Sequence, residues 1–426
     1  MTIRAGSGFL WVLLTPCAFP QAMNLTLAQA ETLAIQNNPQ FSTAQLTAAA
    51  AHQIPREIHA NALPTFTANT TAVGADSGSR LAAGALNNPI IYNRLASGLS
   101  VSQLITDFGR TSNLAASSEI RAQAQDQYTE ATRADVLIAV ARAYFGVLRA
   151  QAILQVAEQT VAARQLLSDQ VTALFRNQLK SQLDVSFANV NLSDARLLVS
   201  QAQNDVQAAK AALATAIGLP AQSDFSLAEE TLPGPLPDSP DTLLDQALRD
   251  RPDLKALQLE QSAAERQVKA EHASFYPTIA AAGVAGFAPL REDQIQSRFG
   301  AVGVNVSIPV FNGGLYRARQ SEAELRARAA AQKTLDVKNR ITRDVRVAYL
   351  NARTAYERVG LTDQLRQQAL LSVDLAQGRY DLGLGSIVEL SQAQLNLTSA
   401  AIANASARYD YQAQRITVDY QTGALR

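Results

Sequence analysis

The sequence contains few of the residues from which disulfide frameworks, metal sites and ordinary globular cores are built. Its 426 residues include one cysteine, Cys17, and three histidines, and only 6% are aromatic. A metal site normally needs three or more ligands, and no cluster of cysteine or histidine occurs. We therefore expect no disulfide, no metal site and no cofactor. The Ala- and Gln-rich composition instead favours long helices packed closely side by side.

Neither an excess of charge nor a long apolar run is present. The 37 basic residues balance the 37 acidic ones, and without a basic footprint we do not expect nucleic acid as a partner. Beyond the N-terminus, no segment has the roughly 18–20 apolar residues of a membrane helix. Any membrane-crossing part would be built from β-strands, which hydropathy does not reveal. Acids, nucleophiles and glycine-rich loops do not occur at the spacing of an active site, so we do not expect an enzyme.

The N-terminus has the pattern of a secretory signal. Arg4 gives a small positive start, residues 9–14 are apolar, and residues 16–22 include small and helix-breaking types. We expect a signal peptide over residues 1–22, with cleavage after Ala22. The stretch 14–17 also loosely resembles a bacterial lipidation site at Cys17. Because Pro16 directly before the cysteine is unfavourable there, simple cleavage is the favoured interpretation.

The rest of the chain is a tandem repeat. Residues 109–218 align with residues 314–423 at an offset of 205 without a gap. Upstream, an offset of 213 pairs His59 with His272, so the first copy carries about eight extra residues near 76–98. This pattern predicts two copies of one structural unit, over residues 23–218 and 241–426, that differ in length at an exposed loop. Five prolines between residues 219 and 240 predict an extended connector rather than a buried element.

Each repeat begins with short helices and then changes to the period of β-strands. We expect helices over 27–36 and 39–60, and strands over 65–73, 99–105, 279–287 and 301–308. Val302, Val304 and Val306 alternate with small or polar residues, which is typical of a strand with one face toward lipid. A sheet in lipid must close on itself. Four strands are too few to close, whereas three chains would supply twelve.

Two long helices follow the strands. The pattern predicts helices over 109–174 and 314–379, each roughly 100 Å long at about 1.5 Å per residue. Tight reversals at 177–181 and 383–386 lead into returning helices that end near Gly218 and Gly423. The shorter helices together nearly equal one long helix, so we expect them to stack end to end beside it. The predicted fold is mainly α with a small membrane β part, in a duplicated strand–strand–long helix–helix unit.

This organisation resembles the TolC family of outer-membrane efflux channels. The motifs that carry the resemblance are residues 380–390 and 392–397 with their first-copy counterpart 183–192, the strand exit 311–314, and the mid-helix stretches 143–145 and 348–350. The resemblance covers about residues 25–425, through the order and spacing of these motifs in both repeats.

The resemblance implies an assembly and partners. We expect a homotrimer with a twelve-stranded barrel in outer-membrane lipid and a twelve-helix tunnel in the periplasm of a Gram-negative type envelope. The family acts with a periplasmic adaptor and an inner-membrane transporter of the RND, ABC or MFS type, and it has no catalytic activity. The expected function is an exit duct for small molecules or proteins, with the cargo chosen by the pump.

Function in such a fold lies at the periplasmic end of the tunnel. Asp184 and Glu389 are equivalent residues three positions past each tip, and three copies of each would form a ring of negative charge. The family pattern has a second acid at Gln392 and often an arginine at Gly385, for which Lys180 would partly substitute. We therefore expect a less charged and less tightly latched aperture. Alternatively, both acids are ordinary helix-start residues favoured by the helix dipole. The residues assigned to the aperture are Asp184, Glu389, Gln392, Lys180 and Tyr380.

The tips themselves are the expected adaptor contact. Leu179 and Leu384 recur at equivalent positions on the two turns, although the glycines could serve only the chain reversal. The residues assigned to this contact are Leu179, Ser181, Gly383, Leu384, Gly385 and Ser386. His59 and His272 are interpreted as interfacial packing near the membrane edge. Tyrosines 144, 349, 380 and 409 are interpreted as helix packing or gate hydrogen bonds.

One competing interpretation is a periplasmic coiled-coil tether or adaptor without a pore. It accounts for the long helices but gives no purpose to the four alternating strands and the exported N-terminus.

Overall fold

The structure is a computed structural model that describes residues 23–80, 90–220, 225–237 and 239–425. The predicted signal peptide over residues 1–22 and the candidate lipidation site at Cys17 lie outside the described residues.

Helices predominate, and short strands precede the two longest ones. The elements in chain order are β1 (Met23–Leu25), α1 (Leu27–Asn37), α2 (Pro39–Ala51), α3 (Ile54–Ala60), β2 (Thr65–Val73), β3 (Arg94–Thr106), α4 (Arg110–Arg176), α5 (Gln182–Ile217), β4 (Phe225–Leu227), α6 (Asp241–Asp250), α7 (Pro252–Ala273), β5 (Thr278–Arg291), β6 (Arg298–Ser307), α8 (Leu315–Asp381) and α9 (Ile387–Gln421). The predicted order of two strands, a long helix and a returning helix is therefore present in each copy.

The backbone repeats at the same offset as the sequence. Both long helices have 67 residues. Left-handed backbone recurs at Phe108 and Gly313, with φ of 56° and 62°, before each long helix. It recurs again at Gly218 and Gly423, with φ of 81° and 72°, after each returning helix. The chain therefore changes direction at equivalent positions of the two copies with the same backbone geometry.

The predicted helix over 39–60 is divided in the structure. It ends at Ala51 and restarts at Ile54. Pro55 has no N–H to donate to the carbonyl of residue 51, and its ring disfavours a continuous helix there. At the offset of 213, Val268 takes its place in the second copy, and α7 runs unbroken from Pro252 to Ala273.

The described chain divides into two compact units. The first takes in the described residues up to Asn38, Ala139–Gly234 and Ala355–Ala413. The second takes in Pro39–Ile138, Pro235–Thr354 and the described residues from Gln414 onward. Each unit draws on both copies of the repeat, so the boundaries of the units differ from those of the repeats.

The second unit contains an antiparallel sheet with the order β2-β3-β5-β6. One row across the sheet joins Phe66, Val101, Gly283 and Val302. The next row, which faces the other way, joins Thr65, Ser102, Ala282 and Gly303. Because side chains alternate between faces, the sheet has one apolar face and one face of small or polar residues. The predicted alternation is therefore present over residues 301–307, and Ile308 follows the end of β6.

Helices supply the buried core of the second unit. One cluster joins α6, α7 and α8 through Ala247, Leu254, Leu257, Val337, Ile341 and Val345. Tyr420 donates a hydrogen bond to Asp135, and burial is the main cause that raises the pKa of this phenol, so the hydroxyl remains a donor. Arg251 lies with its guanidinium carbon 5.9 Å from the same ring and pairs with Asp253 at 2.7 Å.

One expectation about apolar segments was wrong. An 18-residue window within α4 reaches a mean hydropathy of 1.5 and would pass as a membrane span by length and composition. Half of that window is buried inside the protein. We interpret its apolar character as packing, because a helix that is buried among other helices carries apolar residues on most of its surface.

The described residues of the connector between the repeats form no helix, but part of the connector is buried in the first unit. β4 pairs in parallel with β1, and Phe225 is only 4% exposed. Three-residue strands are too short to show a period, so the sequence did not predict this pair. The connector was predicted not to be a buried element, and at Phe225 this was wrong.

Tyrosine hydroxyls attach the connector to the helices. In the first unit, Tyr144 Oη lies 2.6 Å from the carbonyl oxygen of Ala228, and Tyr411 donates to the carbonyl of Gly234 at 2.5 Å. Burial, with the charge of Glu230, raises the pKa of Tyr144 to about 12, which keeps its hydroxyl protonated. In the second unit, Tyr349 donates to the carbonyl of Pro237 at 2.9 Å. Tyr144 and Tyr349 are equivalent at the offset of 205, so each copy uses the same tyrosine for this purpose.

Gly218 is expected to be required for the end of α5. Its φ is +81°, and a Cβ there would lie 2.7 Å from the carbonyl oxygen of Asn37. Gly218→Ala should destabilise the fold by about 1–3 kcal/mol, because the left-handed strain adds to the clash. The matched control is Gly146→Ala in α4, where nothing lies within 4 Å of the added Cβ. That change should be neutral or stabilise by about 0.5–1 kcal/mol. Thermal unfolding followed by circular dichroism measures both, and equal midpoints for the two variants would contradict the assignment.

Candidate functional site

The chain reverses direction at the two tips through the same backbone conformation. Gln178 and Gly383 are equivalent and left-handed, with φ of 61° and 73°. The next residue donates back across the turn, Leu179 to the carbonyl of Leu174 at 2.9 Å and Leu384 to that of Arg379 at 2.8 Å. These bonds satisfy the last carbonyls of the long helices. Gln178 adopts this left-handed conformation although it is not a glycine, and the conformation is unfavourable for most residues that have a side chain.

Both assigned acids sit at the start of a returning helix. Ser181 and Asp184 form a capping box, in which the Asp184 carboxylate accepts from Ser181 N at 2.9 Å and Ser181 Oγ accepts from Asp184 N at 3.2 Å. Ser386 Oγ likewise accepts from Glu389 N at 3.1 Å. The structure therefore gives Asp184 a helix-start role, which leaves its negative charge in place beside the tip.

The first tip lies over the second within the first unit. Lys180 Nζ is 3.8 Å from the centroid of the Tyr380 ring, a geometry that favours a cation–π interaction. Tyr380 is 2% exposed. Its hydroxyl has no hydrogen-bond partner within the part of the chain that the structure describes. Burial raises the pKa of Tyr380, and the charges of Asp184 and Asp381 add to that effect.

An apolar cluster fixes this arrangement. Its members come from the last turns of the long helices and the first turns of the returning ones: Leu167, Val171, Val185, Ala188, Ala376, Tyr380, Ile387, Leu390 and Ala393. Because the cluster joins both copies, the two tips are held as one body in this unit.

Sequence reasoning missed Arg379. Its Nε lies 3.2 Å from a carboxylate oxygen of Glu389, and its Nη2 donates to the carbonyl of Leu384 at 3.2 Å. Arg379 therefore offsets the charge of Glu389 within the same tip. The signal was present in the sequence, since Arg379 precedes Glu389 across a turn short enough to bring the two helices side by side.

Gly385 makes room for this ion pair. A Cβ at Gly385 would lie 3.2 Å from Arg379 Cβ and 3.3 Å from Glu389 Oε2. A side chain at this position would press on both partners. Glycine at position 385 is thus compatible with the arginine that α8 supplies to this tip.

The remaining assigned residues divide between the surface and the helices. Leu179 and Leu384 lie on the two turns and are each 68% exposed. Gln392 donates to Asn396 at 3.0 Å along α9. In the second unit, the His272 ring lies 5.8 Å from that of Tyr276, close to the start of β5.

Comparisons with known proteins agree with this geometry. The family model described as outer membrane efflux protein matches residues 32–219 and 243–424. The outer membrane protein TolC of Salmonella enteritidis is 24% identical over 422 residues, which are 94% of this chain and 83% of that protein. The solved outer membrane protein VceC of Vibrio cholerae superposes with a TM-score of 0.80 at 20% identity, covering 93% of this chain and 96% of the other. The MtrE outer membrane channel of Neisseria gonorrhoeae, solved in its open state, gives a TM-score of 0.77 at 21% identity, covering 93% and 88%.

Charge at the tips should govern ion selectivity in planar bilayers. Arg379→Gln leaves Glu389 without its partner, so the preference for cations over anions should rise by about two- to three-fold. Glu389→Gln leaves Arg379 unopposed and should lower the preference by a similar factor. Reversal potentials across a salt gradient measure both changes.

The double variant Arg379→Gln with Glu389→Gln is the matched control, because it removes both charges and adds none. The preference of this double variant for cations over anions should be close to that of the wild type. If all three variants share the wild-type reversal potential, the tips do not line the ion path.

Proposed function

Because the chain belongs to the outer membrane efflux protein family, we propose that three copies close a twelve-stranded barrel in the outer membrane and a twelve-helix tunnel in the periplasm. The chain is an outer-membrane efflux channel, as the family is. In this proposal it is the exit duct of a complex with a periplasmic adaptor and an inner-membrane pump of the RND, ABC or MFS type. Residues 1–22 direct export, and residues 219–240 connect the repeats over 23–218 and 241–426.

The observation that carries the proposal is the sheet, which has two open edges in the part of the chain that the structure describes. β2 and β6 are its outermost strands, and nearly every residue of both is exposed. An unpaired edge in lipid would leave a row of backbone groups without hydrogen bonds. With four antiparallel strands, β6 of one copy runs opposite to β2 of the next, so three copies close without a parallel pair.

The apolar face of the sheet supports a place in lipid. Val302, Val304 and Val306 are 92%, 65% and 52% exposed, respectively. Phe66, in the same row as Val302, is 72% exposed. Exposed apolar rows opposite a polar face are unfavourable in water and are typical of the lipid-facing side of a barrel.

The returning helices carry matching stripes that support packing between copies. On α5, Leu183, Val190 and Leu197 recur every seven residues and are 64%, 59% and 69% exposed. On α9, the equivalent residues Val388 and Leu395 are 54% and 50% exposed. A seven-residue apolar repeat is the pattern by which helices pack in coiled coils.

The tips are proposed to form the aperture and the adaptor contact. Leu179 and Leu384 present exposed apolar side chains on two turns that the apolar cluster holds together. The aperture combines Asp184, the Arg379–Glu389 pair and the Lys180–Tyr380 contact. With Arg379 paired to Glu389 and Gln392 neutral, the ring of negative charge rests mainly on Asp184.

The oligomeric state tests the barrel. Native mass spectrometry of protein extracted from outer membranes should give three times the mass of one chain. Val304→Arg should reduce the outer-membrane trimer, because a cation on the lipid face of a strand costs about 2–4 kcal/mol near the bilayer centre. Asn305→Arg, on the opposite face of the same strand, is the matched control and should still assemble. A soluble monomer or dimer of the wild type would instead favour the periplasmic tether.

The tips are tested by crosslinking to a co-expressed periplasmic adaptor in intact cells. Leu384→Asp and Leu179→Asp should each weaken crosslinking by about tenfold, since a charge replaces an apolar contact. Leu325→Asp, at a similarly exposed leucine of α8 (60%) away from the tips, should leave it unchanged. Full crosslinking by both tip variants, with the trimer intact, would show that the adaptor binds elsewhere.

A further inference from the structure

The strands of the antiparallel sheet contain charged residues at one end only, and all of these residues are arginines. Across β2, β3, β5 and β6, every residue of which the structure describes, the charged side chains are those of Arg94, Arg291 and Arg298. Arg94 and Arg298 begin β3 and β6, and Arg291 ends β5, so all three lie at the end of the sheet away from α4 and α8. The strands therefore carry positive charge at this end and no negative charge.

The register places Arg94 beside Arg291 on the face of small or polar residues. The two arginines are directly paired between β3 and β5. β3 pairs with β2 without a shift from Ser102 to Arg94, and alternate residues of a strand share a face, so Arg94 lies on the face of Ser102. The next pair, Leu95 with Leu290, belongs to the apolar face, where Leu290 is 66% exposed.

Arg298 lies on the opposite face at the same end of the sheet. β6 pairs with β5 without a shift, and Arg298 is an even number of residues from Val302 of the apolar face. Its partner across the strands is Phe287, which is 55% exposed. The three arginines thus divide between the two faces, so the chain itself supplies a matched comparison.

The Arg94–Arg291 pair keeps its positive charge without an acidic partner in the part of the chain that the structure describes. Arg291 donates to the carbonyl of Ala288 at 3.3 Å and to that of Ile295 at 3.0 Å. Arg94 donates to the carbonyl of Tyr92 at 3.5 Å. Backbone carbonyls satisfy some of the five N–H donors of a guanidinium, but they do not neutralise its charge.

The acids nearest in sequence lie in the loops beyond the strands. They are Asp76, Glu292 and Asp293, and none of them forms an ion pair with Arg94 or Arg291 among the described residues. Glu292 is held by Asn93, whose backbone N–H and side-chain amide both donate to it at 2.8 Å. Residues 81–89, between β2 and β3, contain no charged residue in the sequence. The acids therefore leave the face of the paired arginines positive.

The stability of the sheet does not account for this pair. Like charges at directly paired positions of neighbouring strands repel each other. An anion that bonds to both guanidinium groups would offset this repulsion. Arginine binds phosphate and carboxylate groups through two parallel hydrogen bonds, so an anion with several such oxygen atoms fits two neighbouring arginines best.

In the proposed barrel the face of small or polar residues is the inner wall, so this inference rests on the proposed function. We propose that Arg94 and Arg291 form a ring at the outer end of the barrel, with two guanidinium groups from each of three copies, and that this ring binds multivalent oxyanions such as polyphosphates. Because the ring faces the lumen, its ligand is a dissolved anion and not a lipid head group. The duct then carries positive charge at its outer end and the negative charge of Asp184 at the other.

The test is the block of single-channel current by tripolyphosphate in planar bilayers. The salt is about 0.1 M KCl, in which charges act over roughly 10 Å. Protein is added to one chamber, and because its long helices do not cross lipid, the outer end of the barrel opens into the other chamber. Tripolyphosphate in that other chamber should block at a concentration at least about tenfold lower than in the chamber of addition.

Variants locate the site of block. Arg94→Gln combined with Arg291→Gln should raise the half-blocking concentration at the outer end by at least about tenfold, because charge-assisted hydrogen bonds are lost. The double lysine variant at the same positions keeps the charge and should raise it by only about two- to threefold. Arg298→Gln removes one charge from the other face and should block as the wild type does.

Native mass spectrometry confirms that each variant forms a trimer. If the double glutamine variant does not assemble, Arg94→Gln is measured alone and should raise the half-blocking concentration by about threefold.

Two kinds of result separate this proposal from the proposed barrel. A conducting trimer that tripolyphosphate blocks equally from both chambers, or whose block is unchanged in the glutamine variants, would overturn the ring and leave the barrel in place. Loss of block in Arg298→Gln equal to that in the double variant would also overturn it, since the anion would then lie on the other face. A wild-type protein that forms no conducting trimer would contradict the barrel, and the ring with it.

Discussion

Within the described residues, an antiparallel sheet has two outer strands without partners and an exposed apolar face, and this sheet sets the main constraint on the protein. Backbone groups in lipid must be paired within the protein, and a four-stranded sheet cannot pair its own edges. The alternation of strand direction lets identical copies meet edge to edge in the antiparallel sense. The proposed trimer follows from this need, and the exposed heptad stripes of α5 and α9 give the helices a matching reason to associate.

Duplication lets one chain supply corresponding surfaces twice, yet the copies are not interchangeable at the tips. The same left-handed turn is made by glycine in one copy and by Gln178 in the other. The first tip contributes the cation that lies over Tyr380, whereas the second contains the Arg379–Glu389 pair within itself. Gly385 is compatible with that pair because it has no side chain. The two copies thus share the left-handed turn and differ in the charged contacts around it.

The connector shows how a proline-rich segment becomes part of a fold. Its attachment combines tyrosine hydroxyls that donate to its carbonyls, one buried ring, Phe225, and Leu236, which packs against a buried cluster of helical residues. The equivalent residues Tyr144 and Tyr349 make such bonds in the first and second unit, respectively.

The sequence alone determined the strands, the long helices, the tips and their equivalence, because these depend on local periodicity and on an offset that can be counted. It also determined that Asp184 and Glu389 start the returning helices, since capping is local. The break at Pro55 was missed because the apolar pattern continues across the proline, which interrupts the backbone hydrogen bonds of the helix. The β1–β4 pair was missed because strands of three residues show no period. Tertiary structure alone decided that Lys180 lies over Tyr380 and that the Arg164 side chain is buried. These depend on which helix faces come together, and no spacing within one helix records the neighbour that it meets.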